Sequence, residues 1–156
     1  MSVESNKAAC LEFWRRAYQE GHPEFMYQAL AGDAVDHELE PFRVPYMSTA
    51  QLAVGFTRVY LKAFPDLQVD IEDMLGEEDR VMTRWRMRGT QTGPLMGIEA
   101  SGRPIDITGL RVDRFVNGKI AETWGNWDLL GLLEQIGALP PLRRGLFPAL
   151  RSLAAA

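Results

Sequence analysis

Phe64-Pro65-Asp66-Leu67-Gln68-Val69-Asp70-Ile71-Glu72 is where the chain changes its period. Before it, Leu52, Phe56, Val59, Tyr60 and Ala63 recur at helical spacing behind Ser48-x-x-Gln51, the pattern of a capping box. After it, Leu67, Val69 and Ile71 alternate with Gln68, Asp70 and Glu72, the two-residue period of a half-buried strand. Pro65 marks the switch, because a proline can neither donate to the helical ladder nor sit within it unstrained.

Upstream the pattern stays helical. Ser5 is a plausible cap for a first helix that Gly21 ends, with Cys10, Phe13, Trp14, Ala17 and Tyr18 on one stripe. A second helix follows Pro23 and carries Phe25, Met26 and Leu30 inward until Gly32; residues 33–47 read as extended or looped. Downstream the pattern is extended. Val81, Thr83, Trp85 and Met87 share one strand face, with Met82, Arg84, Arg86 and Arg88 on the other. A Gly- and Pro-containing loop leads to a strand over 105–116. Asn117-Gly118 is a hairpin turn, since both residues tolerate the positive φ of a type I′ turn. A strand over 119–127 and a short amphipathic helix, Leu129 to Ile136, complete the order. Helices gathered before a meander of strands define an α+β domain.

Composition narrows the class. The 156 residues are 46% hydrophobic and 24% charged, a balance that excludes a disordered or fibrous chain. A net charge of −4 argues against a general nucleic-acid or anionic-membrane surface. The single cysteine, Cys10, has no internal disulfide partner, and Met1-Ser2-Val3-Glu4-Ser5 lacks the features of a secretion signal, so a cytoplasmic setting is expected. Two histidines without helical H-x-x-x-H spacing give no transition-metal pattern, and no phosphate-cradling glycine motif or nucleophile elbow occurs. Neither metal nor cofactor is expected.

Several motifs in order resemble the SnoaL-like polyketide cyclases, or ester cyclases, of the nuclear transport factor 2-like superfamily. They are Ala63-Phe64-Pro65-Asp66-Leu67, Gly89-Thr90…Gly93…Gly97, Arg114-Phe115-Val116-Asn117-Gly118-Lys119-Ile120 and Glu122…Trp124…Asp128…Gly131-Leu132…Gln135-Ile136-Gly137. The resemblance makes residues 1–139 one cone-shaped α+β domain and leaves 140–156 as a tail outside it. It implies a conical barrel with N-terminal helices packed in a strongly curved antiparallel sheet, a deep apolar pocket, and a homodimer joined through the outer sheet face. Large apolar residues on both faces of 105–116 (Ile105, Ile107 and Phe115; Leu110 and Val112) fit that expectation.

The resemblance also implies an aspartate acting as general acid/base on the last strand. In this chain that position is Gly125, which has no proton to give or take. Other polar pocket positions of the family fall on Gly109, Arg111 and Thr123. These four are expected to share the cavity face, with the two glycines enlarging the pocket. Arg111 brings in a permanent cation whose lone burial is costly. Its partner is an internal carboxylate (Asp113, Asp36 or Glu122), a ligand oxygen, or the dimer partner. His37, within Asp36-His37-Glu38, is the remaining group that titrates near neutrality and the expected proton carrier; the alternative is a surface histidine bonded among Asp36 and Glu38. Asp128 matches a second family aspartate, and its place directly before a helix favours an N-cap. His37, Arg111 and Asp128 are thus the candidate catalytic residues. Trp14, Trp85, Met87, Gly109, Thr123, Trp124, Gly125, Asn126 and Trp127 are the candidate substrate-binding residues. The expectation is a cofactor-free cyclase or isomerase acting on a hydrophobic oxygenated small molecule. A non-catalytic ligand-binding or dimerisation module stays open because of Gly125.

Overall fold

A computed structural model describes residues 2–39, 41 and 44–140. The reading of the C-terminal tail falls on residues 141–156, outside that description.

The first helix, α1 (Val3–Trp14), starts earlier than the sequence suggests, because Ser2 is the cap: its hydroxyl accepts from the Ser5 N–H at 3.2 Å. The helix runs on through a wider π turn, Arg15–Gln19. Its stripe of Cys10, Phe13, Trp14 and Ala17 is buried against the sheet. After a turn at Pro23–Phe25, α2 (Met26–Ala29) stops before Gly32, because Leu30 already pairs with the far strand and opens β1 (Leu30–Asp36). Helix α3 (Thr49–Ala63) begins with the full Ser48/Gln51 capping box.

The sheet order is β1-β5-β4-β3-β2, with β2 (Gln68–Glu77), β3 (Arg80–Thr90), β4 (Pro104–Val116) and β5 (Lys119–Trp127). Neighbours among β2 to β5 are antiparallel, whereas β1 joins β5 in parallel, so the sheet is mixed and not purely antiparallel. The long helical excursion before β1 makes that edge: the chain arrives from α2 and runs alongside β5 in the same direction. At the hairpin between β4 and β5, Asn117 (φ 50°) and Gly118 (φ 77°) adopt the left-handed pair of a type I′ turn. Helix α4 (Leu129–Gln135) closes the chain over β4.

Strand parity sets the layers. Val81, Thr83, Trp85 and Met87 of β3 and Ile105, Ile107, Arg111, Asp113 and Phe115 of β4 all point inward and are buried. The sheet curls around α1 and α3, and each large apolar side chain removed from water contributes about 1.5–3 kcal/mol. The outward parity holds Arg84, Arg86 and Arg88, paired with Glu72, Asp106 and Asp70 respectively, so this basic stripe is a solvated ion-pair ladder. Among the described residues no helix is long and apolar enough to cross a membrane.

Candidate functional site

Between α1, α3 and the inner sheet face lies a cavity of about 250 Å³. Its walls are largely aromatic: Trp14 and Tyr18 from the first helical segment, Tyr60 from α3, Trp85 from β3 and Trp127 from β5, with Met87 and Ile107 filling between them. Trp14 packs on Trp85 with ring centroids 5.7 Å apart, and Tyr60 meets Trp127 edge-on at 5.9 Å. Two of these residues carry a buried polar atom with no partner among the described residues: the Trp14 indole N–H and the Tyr60 hydroxyl. A second hollow, about 290 Å³, opens between β1 and the start of α3, lined by Gly32, Asp33, Ala34 and Ser48 and lacking an aromatic wall.

One end of the aromatic cavity is polar. The antiparallel register sets Arg111 opposite Gly125, Asp113 opposite Thr123 and Gly109 opposite Trp127, so all six share the inner face. Arg111, 9% exposed, donates from Nε to Asp113 Oδ1 at 2.8 Å and from Nη2 to Thr123 Oγ1 at 3.0 Å. The Thr123 hydroxyl donates to the same Asp113 oxygen at 2.6 Å, and the Cys10 thiol donates to Oδ2 at 3.3 Å. The guanidinium lies over the Phe13 ring, 4.8 Å from its centre. Of the partners open to Arg111 from sequence, the internal carboxylate Asp113 is the one that binds it. Burial opposes the Arg111 charge, but Asp113 and then Asp36 hold its pKa above the ordinary value. Burial, then the Asp113 charge, pushes the Cys10 thiol up, which leaves it an inert donor.

The turn after β1 supplies a group that the sequence reading passed over. Asp36 Oδ1 accepts from the backbone N–H of Glu38 at 3.0 Å and of Leu39 at 3.2 Å. That small turn carries Glu38 over the sheet edge and into the cavity wall. A Cβ built on Gly125 would lie 2.1 Å from Glu38 Oε2. The Trp127 indole lies beside the Glu38 carboxyl and favours its charged form. Burial, then the Asp36 charge, raises the Glu38 pKa, with Arg111 and the Trp127 indole pulling the other way. Burial raises Tyr18 and Tyr60 as well, and the Glu38 charge adds to both.

His37 takes the opposite side. Its ring stacks on Trp124 at 5.1 Å and its Nε2 bonds Glu122 Oε1 at 3.0 Å, with its side chain 42% exposed. Trp124 is paired with Val112 in the outward parity, and Arg80 lies over its ring, so Trp124 is not part of the cavity wall. Asn126, opposite Leu110, is exposed on the same outer side. Asp128 accepts from the Gly131 N–H at 2.8 Å and caps α4, which occupies its carboxylate. The expected enlargement of the pocket by two glycines is also corrected. Trp85 lies across Gly109, 2.3 Å from where a Cβ would stand, and Glu38 covers Gly125. Trp14, Trp85, Met87, Arg111 and Trp127 are the sequence candidates that do line the cavity, and Thr123 stands behind Arg111. Among the described residues no group of three His, Cys, Asp or Glu side chains is arranged to hold a metal ion.

A curled five-stranded sheet over helices, hollow at one end, is the cone of the nuclear transport factor 2-like fold, and the chain belongs to the SnoaL-like polyketide cyclase family, whose model matches residues 8–136. Among solved structures, TsrD from Streptomyces laurentii is 27% identical with a TM-score of 0.78, covering 89% of this chain and 99% of its own. AclR from Streptomyces galilaeus, a candidate hydroxylase, is 29% identical with a TM-score of 0.74, covering 89% and 100%. IdmH from Streptomyces antibioticus, a candidate polyketide cyclase, is 27% identical with a TM-score of 0.69, covering 85% and 98%. No curated protein sequence matches significantly.

Proposed function

We propose that this protein is a small-molecule pocket enzyme performing cofactor-free acid/base chemistry, a cyclisation or isomerisation, on a hydrophobic oxygenated substrate of polyketide or terpenoid character. The observation that carries this reading is the pair of buried, unpartnered polar groups, the Trp14 N–H and the Tyr60 hydroxyl, on residues of the aromatic part of the cavity wall. An unmet buried donor costs about 1–3 kcal/mol. A ligand oxygen offsets that cost, and a pure hydrocarbon does not. Arg111 supplies a fixed positive charge for negative charge developing on a ligand oxygen, inside a site of low dielectric where such stabilisation is large. Family membership supports the substrate class; the relatives' names span a candidate cyclase and a candidate hydroxylase, so the reaction type rests on the groups in this cavity.

In the same reading two copies meet through the outer sheet face, where Leu75 (59% exposed), Leu110 (47%) and Val116 (44%) stand in solvent. Sedimentation equilibrium checks this, and a strictly monomeric protein at high micromolar concentration rejects it.

The binding test uses 2-tetralone, a bicyclic aromatic ketone, and tetralin, its oxygen-free counterpart, with tryptophan quenching as the readout. Saturable binding of tetralone is expected. Trp14→Phe keeps a ring but removes the N–H, and is expected to weaken tetralone binding about tenfold, one hydrogen bond's worth, while leaving tetralin binding nearly unchanged. Equal losses for the two probes would remove the polar basis of the reading.

A further inference from the structure

The cavity contains a carboxyl group in the place where strand β5 has only a glycine. Glu38 Oε2 sits 2.1 Å from the point where a Gly125 Cβ would begin, and Glu38 Cβ is 3.8 Å from it, so the side chain reaches in from the turn and ends above the glycine. No side chain at 125 fits while Glu38 is there. Resting on the pocket-enzyme reading, we propose that Glu38 is the catalytic acid–base of this site, delivered by the β1–α3 turn to a position that Gly125 keeps open.

The surroundings separate Glu38 from every other titratable group nearby. Asp36, on β1, has Oδ1 occupied by two backbone N–H groups and helps hold the Arg111 charge, which makes it a positioning residue. Asp113, on β4, is saturated by Arg111, Thr123 and Cys10. His37 and Asp128 are engaged outside the cavity. Tyr18 and Tyr60 are pushed up by burial and keep their protons. Glu38 faces Asp36, Arg111, Tyr18, Tyr60 and the Trp127 indole, and of these groups it is the carboxyl with a raised affinity for a proton and a side chain in the cavity wall. A carboxylate whose pKa is raised above the ordinary value is a stronger base than a solvated one, which suits removal of a proton from carbon beside a carbonyl.

The step balances without a further reactant. The Glu38 carboxylate takes a proton from the carbon next to a ligand carbonyl. The C–H electron pair becomes the enolate double bond, and the carbonyl pair moves onto oxygen, toward Arg111. The resulting Glu38 carboxylic acid then returns the proton, either to another carbon, completing an isomerisation, or to the alkoxide formed when the enolate carbon attacks a second carbonyl and closes a ring.

Exchange of the C1 hydrogens of 2-tetralone in D₂O, followed by proton NMR, reads the first step directly. The wild-type protein is expected to accelerate this exchange above buffer, with a rate that rises with pH as Glu38 ionises. Glu38→Gln keeps the shape and an acceptor beside the Trp127 indole; it is expected to lower the accelerated rate about 100-fold or more while tetralone quenching is retained. Glu38→Asp is expected to recover part of the rate. So is the double variant Glu38→Ala/Gly125→Asp, which returns a carboxyl to the same place from the strand. A wild-type protein that accelerates exchange together with a Glu38→Gln variant that does so equally well would overturn the assignment and leave the pocket-enzyme reading standing. A wild-type protein that binds tetralone and accelerates nothing would overturn the enzymatic reading and Glu38's role with it.

Discussion

Gly109 and Gly125 face the same cavity from adjacent strands, Gly125 directly opposite Arg111 and Gly109 two residues before Arg111 on β4, yet they make room for different things. Above Gly109 lies the Trp85 indole, with the Trp127 Cβ 2.8 Å from a would-be Cβ; both are parts of rigid, packed residues. Above Gly125 lies only the tip of the Glu38 carboxyl. A core indole cannot retreat without breaking its contacts with Trp14, whereas a carboxyl on a flexible stem can swing aside. One glycine therefore serves packing and the other serves position. A stability measurement alone finds only the first.

The largest effect expected from breaking this contrast is on activity, at Gly125. Gly125→Ala should displace the Glu38 carboxyl by an ångström or more, and misplacement on that scale costs about 100-fold in rate. Tetralone exchange should fall accordingly with little change in the urea unfolding midpoint. Full activity in this variant would mean that Glu38 need not occupy that place.

Gly109→Ala should do the reverse. Its Cβ meets the Trp85 ring at 2.3 Å, and forcing an extra methyl into a packed core costs about 1–3 kcal/mol. The urea midpoint should drop by that amount with the slope unchanged. Exchange activity per folded molecule should fall by less than in Gly125→Ala, because the new Cβ meets the Trp85 and Trp127 side chains of the wall and not the Glu38 carboxyl itself. A destabilisation at Gly125 equal to that at Gly109 would erase the distinction between the two sites.

Much of this wall was readable from sequence. Strand parity alone puts Val81, Thr83, Trp85 and Met87 together, and the Asn117-Gly118 turn pairs Val116 with Lys119; a bulge between Phe115 and Arg114, which leaves no mark in the sequence, then shifts the register by one and brings Arg111 opposite Gly125. Ser48 and Asp128 announce their caps. What escaped was the direction of residues 36–38. The chain gives no period of its own in that short stretch, so His37 drew notice by its chemistry. Asp36 is the last strand residue, and the turn it caps with its own carboxylate sends His37 outward and brings Glu38 back over the sheet edge. Where that turn lies is set by the parallel pairing of β1 with β5, and pairing between segments some 90 residues apart leaves no local mark. The filling of the glycine gaps was equally invisible, since a glycine in a strand signals close approach without naming what approaches.

The smallest effect expected is a difference in how stability responds to pH. Outside the cavity, Arg86 beside Asp106, and His37 then Arg114 beside Glu122, lower those carboxyl pKa values. Their contribution is present above the ordinary carboxyl range and is lost as pH falls through the depressed values. Glu38 is shifted the other way, by burial first and the Asp36 charge second. The folded protein therefore binds its proton more tightly than the unfolded chain, so its contribution is whole below the ordinary value of 4.5 and declines as pH rises through the folded value. The two classes act in different windows, the outer carboxyls below the ordinary range and Glu38 above it. Urea midpoints of wild type and Glu38→Gln, measured in steps from pH 4 to pH 8, isolate the inner one, because the outer groups cancel in the difference. Wild type should lose ground against the variant as pH rises and level off once Glu38 is ionised in both states. A difference that does not change with pH would mean that the carboxyl above Gly125 pays no cost for its charge, as if it stood in water like Asp106, and the contrast between a sheltered and a solvated carboxyl would be lost.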